Sequence, residues 1–171
     1  MKRLHSVPMA MLALFAFVSP ALSGHVRTPW NHTETTNRFK VLSDFNNQAV
    51  LDTETGLVWE RSPDTIAQEW LIAHQTCNAN IVGNRKGWRL PTIQELASLV
   101  DPNQANPALP PNHPFLNVQL APPYWSATTL AFYTNFAWNV QFDTGTLGNA
   151  NKPAAALFAW CVRGGQGVDP Q

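Results

Sequence analysis

Cys77 and Cys161, five scattered histidines, and a group of aromatic and amide side chains at Phe132, Tyr133, Asn135, Asn139 and Gln141 are the residues whose types could do chemistry here. Two cysteines can form a disulfide, hold a metal or supply a nucleophile. No CxxC pair and no histidine at ligand spacing accompanies them, which argues against metal ligation. The histidines, at positions 5, 25, 32, 74 and 113, share no motif, and the chain has no HExxH, no GxSxG and no glycine-rich phosphate loop. His25 would become N-terminal, as a copper-binding histidine brace requires, only by a cut that places Leu22 where a signal peptidase wants a small residue. The aromatic and amide group suits a different task. Planar amides pair with hydroxyls and ring faces stack, which is the chemistry of sugar recognition. The plain alternative for each member is a wet strand face or a loop ring folded back on the core.

The elements that must position these residues can be read in turn. Phe136, Trp138, Val140 and Phe142 alternate with Ala137, Asn139, Gln141 and Asp143, a period of two that predicts a strand sending Asn139 and Gln141 to the face opposite the core. Phe132 and Tyr133 fall outside that alternation, in a connecting loop after a short strand at Tyr124 to Thr128. Arg85, Lys86 and Lys152 could add a small positive rim. If Trp125, Phe132 and Tyr133 are exposed together, ligand binding is favoured; if they are buried, a structural role is.

The firmest local signal is the stretch GWRLPTIQELASLVD, Gly87 to Asp101. Thr92 and Glu95 form a capping box, and Ile93, Leu96, Leu99 and Val100 make one apolar stripe on a short helix stopped before Pro102. Ala49 to Leu51 and Leu57 to Trp59 flank the turn residues Asp52 to Gly56 as a hairpin. A first helix is expected from Thr65, capped with Gln68, with Ile66, Trp70, Ala73 and Cys77 on its buried face. Between Pro102 and Pro123 lie seven of the fourteen prolines, a long ordered loop that either contacts ligand or is merely stiffened. Leu147 to Asn149 and Ala156 to Arg163 read as the final strands. The fold class is α+β, two helices packed on a small antiparallel sheet with long irregular loops.

Residues 1–23 read as a secretory signal peptide: Lys2 and Arg3, an apolar run from Met9 to Val18, then Ala21-Leu22-Ser23. His25 follows Leu22-Ser23-Gly24 where a lipoprotein signal needs cysteine, so no lipid anchor is expected, nor an integral membrane segment after cleavage. Residues 24–45 read as a flexible leader, 46–165 as the folded domain and 166–171 as a tail. Export makes a Cys77–Cys161 disulfide the expected fate of the two cysteines, closing a loop of roughly 80 residues that contributes about 4 to 5 kcal/mol. Without Lys2 and Arg3 the chain keeps nine basic residues against eleven acidic ones. That balance excludes nucleic acid as a general partner.

The WRLPT..EL core at Trp88 to Leu96, followed by YWSAT at Tyr124 to Thr128, AWNVQFDTG at Ala137 to Gly145 and CVRGG at Cys161 to Gly165, resembles the DUF1566 family, named for the C-terminal domain of a Legionella collagen-like adhesin. The resemblance covers about Ala49 to Gly165. It implies a fold similar to C-type lectins, exported and often at the cell surface, with recognition in the long loops and the adjoining strand edge from Tyr124 through Asp143. The Trp125-Ser126-Ala127 context departs from the Trp-Asn-Asp type of calcium ligand, so neither calcium nor any other metal or cofactor is expected. The reading is of a noncatalytic binding module, exported to periplasm or exterior, for carbohydrate or a surface ligand; the alternatives are a structural or assembly domain of the envelope and, behind it, an enzyme with an unrecognised site. The residues leave the oligomeric state open. Replacing Thr92 with Ala should cost about 0.5 to 2 kcal/mol in denaturant unfolding through loss of the cap. Trp88→Ala should cost on the order of 3 to 5 kcal/mol; equal and negligible losses would mean that the helix is misplaced.

Overall fold

A computed structural model describes residues 38–164. The residues read as signal peptide and tail, and most of those read as leader, lie outside this range. The described part contains two antiparallel sheets and two short α-helices, rather than the one small sheet expected. The first sheet has the order β1-β2-β3-β7, built from Phe39–Leu42, Ala49–Asp52, Val58–Glu60 and Val162–Arg163. The second is the meander β4-β5-β6: Tyr124–Leu130, Tyr133–Gln141 and Thr146–Asn151.

The folded region starts before Asn46. Phe39 to Leu42, within the stretch read as leader, pairs in register with Ala49 to Asp52. A buried ion pair explains why so polar a segment is held. Arg38 donates from Nε to Asp52 Oδ1 (2.9 Å) and from Nη2 to Asp52 Oδ2 (2.7 Å), and Nη2 also reaches the Ser98 carbonyl at 2.8 Å. Asp52 does a second job by accepting from the Glu54 N–H and the Thr55 hydroxyl in the β2–β3 turn, where Gly56 takes φ +72°. Burial pushes the Asp52 carboxyl up, but the hydrogen bonds and charge of Arg38 outweigh it and hold the group below its ordinary 3.8.

The central capping box is present as read: Thr92 Oγ1 accepts from the Glu95 N–H, and Glu95 accepts from the Thr92 N–H. Helix α2 runs only from Ile93 to Ala97, with Ile93, Leu96 and Leu99 buried. Glu95 is further fixed by Arg89, both of whose terminal nitrogens donate to it at 2.8 Å. Helix α1 is shorter than expected, Trp70–Ala79, and has no side-chain cap at Glu69. Gln68 is taken instead by a bridge to Leu157, and its side chain by Asp64 and Thr76, so the Thr65–Gln68 box does not form. Ile66 consequently falls outside the helix and is exposed, while Ala73 and Cys77 are buried as expected.

Between the sheets runs Leu157 to Val162, every residue of it buried. The expected long last strand is only two residues, because this segment spends its backbone on several partners in turn. It bridges Gln68 at Leu157, Tyr124 at Phe158, and both Trp59 and Arg89 at Val162. Cys161 is bonded to Cys77 across a separation of 84 residues, with Cα atoms 5.4 Å apart, so the first helix is tied to the final segment. Trp160 sits among Trp59, Phe115, Tyr124 and Phe142 in edge and tilted ring contacts. The proline-rich loop packs onto this core: Ala108, Leu109 and Phe115 are buried, and Ala108 and Leu116 donate to the carbonyls of Phe142 and Arg61. Removing one partner of the buried pair, as in Arg38→Ala, should strand the Asp52 carboxylate and lower unfolding free energy by on the order of 3 to 5 kcal/mol. A loss under about 1 kcal/mol in denaturant unfolding would show that the pair is not holding β1.

Candidate functional site

Strands β4 and β5 are joined at Leu130↔Tyr133, so the loop read around Phe132 is a tight hairpin tip. Phe132 is 94% exposed and Tyr133 66% exposed. The strands do not run evenly to the tip. The next pair is Thr129↔Ala137, which makes Thr134, Asn135 and Phe136 an outward bulge on β5. Thr134 and Asn135 are exposed, and the bulge is anchored from the other side by the Lys152 N–H donating to the Asn135 carbonyl at 2.8 Å. Tyr133 lies edge-on to Phe136, ring centres 6.3 Å apart.

Phe132, Tyr133 and Asn135 are therefore brought together at one exposed end; Asn139 and Gln141 are not part of it. Asn139 is 4% exposed, a correction to its expected place on a wet face. Both faces of β5 are covered at this point. Val140 and Phe142 enter one core cluster with Leu96 and Leu99, while Ala137 on the opposite side joins a second with Trp125, Ala73 and Cys77. Asn139 stands opposite Trp125 and Gly148 in the middle of the sheet, and a Cβ on Gly148 would come within 3.0 Å of its Oδ1. The glycine makes room for the amide. Gln141 is half-buried and donates to Asp143 Oδ2 at 2.7 Å, which occupies it in the turn. Trp125 is fully buried, its indole donating to the Gln68 carbonyl, so the trio of Trp125, Phe132 and Tyr133 divides between core and surface.

The positive rim does not assemble. Lys152 Nζ lies 4.1 Å over the Trp70 ring and donates to Thr129 Oγ1, whereas Arg85 and Arg163 both stack on Phe45. His74 lies against Trp70 and His113 stacks on Phe115; burial lowers the pKa of both, and Lys152 adds to the effect at His74. Among the described residues no three His, Cys, Asp or Glu side chains gather as a metal site.

One concave feature escaped sequence reading. A pocket of about 430 Å³ lies beside the disulfide, lined by Glu60, Ser62, Asp64, Thr76, Asn80 and Ile81 with others. Glu60 closes the apolar run Leu57 to Trp59, where a carboxylate inside a strand was the available signal. Its polar groups are already matched to one another. Glu60 accepts from the Cys161 N–H at 2.8 Å and from the Asn80 amide, and Asp64 accepts from the Ile66 N–H and the Gln68 amide. The pocket is a joint between β3, α1 and the final segment. Burial pushes the Glu60 carboxyl from 4.5 to about 7, against those two hydrogen bonds, and the charge of Asp64 adds to the rise. The folded protein therefore holds this proton more tightly than the unfolded chain does. The associated stability is complete below about pH 4.5 and is lost as pH rises through about 7. Thermal midpoints of the wild type should fall across that window, and Glu60→Gln should flatten the fall; an unchanged slope in the variant would assign the effect to another group.

No curated protein matches the chain. A family model does, that of the Lcl C-terminal domain, over residues 48–163. The match takes in β2, β3, the capped helix, the hairpin and the final segment with Cys161, which are the parts from which the exposed end and its support are built. By that extent the chain belongs to the Lcl C-terminal domain family.

Proposed function

We propose that this chain is an exported, noncatalytic recognition module of adhesin type, built on a C-type-lectin-like plan, that contacts carbohydrate or another surface ligand through the β4–β5 hairpin. The observation that carries this is the exposure of Phe132 and Tyr133 on adjacent positions of a hairpin whose base is rigidly packed. Two large rings held in water on a firm support lose little entropy on meeting a ligand, and rings of this kind anchor recognition surfaces. Membership of a family named for an adhesin supports the role. The internal disulfide fits an oxidising compartment. Among the described residues no helix is long and apolar enough to cross a membrane.

Support for a noncatalytic role comes from how the chemistry-bearing groups are used. Both cysteines are in the disulfide, and Asp52 and Glu95 are committed to an ion pair and a helix cap. A second reading, an assembly domain of the envelope, draws on a different surface: Ile66, Leu71 and Ile72 are 70%, 60% and 45% exposed around the start of α1. The double change Phe132→Ala and Tyr133→Ala discriminates. It should leave the thermal midpoint within a few degrees of wild type and reduce binding to a glycan array or to host-cell surfaces at least tenfold. Undiminished binding by the folded variant would move the contact elsewhere, first to the α1 surface.

A further inference from the structure

The outer sheet has no ionisable cation or anion. No residue of β4, β5 or β6 is Asp, Glu, Lys, Arg or His, and the sequence carries no Asp, Glu, Lys or Arg between Asp101 and Asp143. A typical domain is about one-quarter charged, so a whole three-stranded sheet reaching an exposed tip without charge is a feature to be explained.

On one face of that sheet the side chains form a row. Phe136 and Trp138 stand on alternate positions of β5 and therefore on the same side, and Tyr133 packs edge-on to Phe136. Across the ladder, Phe136 is opposite Asn151 and Trp138 opposite Asn149, which places the amides beside the rings on that same side. Farther along, Val140 and Phe142 turn this face into core with Leu96 and Leu99 of the α2 region. Toward the hairpin that cover ends. Trp138 is half-buried and packs against the rim of that core, Phe136 is half-buried, and Asn149 and Tyr133 are exposed. Lys152, which directly follows β6, has its ammonium held on Trp70 and Thr129.

We propose that Tyr133, Phe136, Trp138 and Asn149 form a stacking platform for a neutral saccharide, bound without ion pairing. This rests on the reading of the hairpin as the ligand contact and names the class of ligand. A sulfated or carboxylated sugar brought to this face would give up ion hydration with no counter-charge to replace it, a cost of several kcal/mol per ion. A neutral sugar exchanges hydroxyl–water hydrogen bonds for hydroxyl–amide ones at little net change. Its apolar ring face covers aromatic surface that is otherwise wet.

The test uses the folded mature chain with three neutral hexasaccharides (of maltose, cellulose and chitin type) and a heparin hexasaccharide, at low and high salt. Affinity for at least one neutral sugar should stay within about twofold as salt rises. Phe136→Leu and Asn149→Ala should each weaken it about tenfold. A sugar-dependent change in tryptophan fluorescence should vanish in Trp138→Phe, a readout that a merely structural role would not move. Binding confined to the heparin fragment, or neutral binding untouched by all three changes, overturns the platform. If no hexasaccharide binds while host-surface binding still depends on Phe132 and Tyr133, the platform is overturned and the hairpin contact stands. If host-surface binding ignores Phe132 and Tyr133 too, the recognition role itself falls.

Discussion

The interior placement of Leu157 to Val162 is the constraint on which the rest of this structure depends. An interior segment must find partners for every backbone group, because an unmade buried hydrogen bond costs on the order of 1 to 3 kcal/mol. This one is bonded to the rest of the chain at several places along its length. Gln68 exchanges two hydrogen bonds with Leu157, Arg89 exchanges two with Val162, Asp64 donates to the Ala159 carbonyl, and Phe158 links Pro123 to Trp125. These partners lie before α1, before α2 and in β4, so a single segment sets the spacing of elements far apart in sequence. Glu60 adds three more bonds: its side chain receives the Cys161 N–H, its own N–H donates to the Cys161 carbonyl, and its carbonyl receives the Trp160 indole. The disulfide at Cys161 then closes the arrangement covalently. A carboxylate is unusual in such a place, and its raised pKa reflects the cost of burying it to meet that N–H.

The same geometry explains why the two sheets carry such different chemistry. Charge is concentrated where it fixes the first sheet and its neighbours: Arg38 with Asp52 and Ser98, Arg89 with Glu95 and the Gly164 carbonyl, Arg61 with Pro114. Each of these cations reaches a backbone carbonyl as well as, or instead of, a carboxylate, which is how irregular loops without ladder partners are satisfied. The outer meander needs no such help. Its backbone is paired internally in β4-β5-β6, and its turn at Gly145 rests directly against Val100, where an added Cβ would come within 2.6 Å. With structure secured by ladder and core, its uncharged surface is free to be set by whatever it contacts.

What could be read from the sequence follows from how local each signal is. The capping box of Thr92 and Glu95 involves residues three apart and appears as read, as does the turn built on Asp52 and Gly56. Phe132 and Tyr133 stood out in the sequence because they broke an otherwise regular alternation, but whether the rings lie in water or fold back on the core was settled only by the tertiary packing, which leaves both exposed. Asn139 was misread for a complementary reason. Period-two alternation reports which side a residue takes, and only the packing of a second layer, here Trp125 and the α1 side of the sheet, determines whether that side is wet. The box at Thr65 and Gln68 failed in the same way, since Leu157, nearly ninety positions away, claimed the backbone of Gln68.

Glu60 left only the signal of a carboxylate inside a strand, and its surroundings bear on how site residues should be sought in this fold. A buried, perturbed carboxylate beside a pocket has the usual look of a functional group. Here each of its oxygens is already taken, and the neighbouring Asp64 is taken as well. Perturbation therefore measures how much the fold asks of the group rather than how available it is. The hairpin shows the reverse: side chains with few internal partners and high exposure, carried on paired strands. On the proposed recognition role, the informative residues are those the fold has no use for, and in this chain they lie together at the uncharged end of the outer sheet.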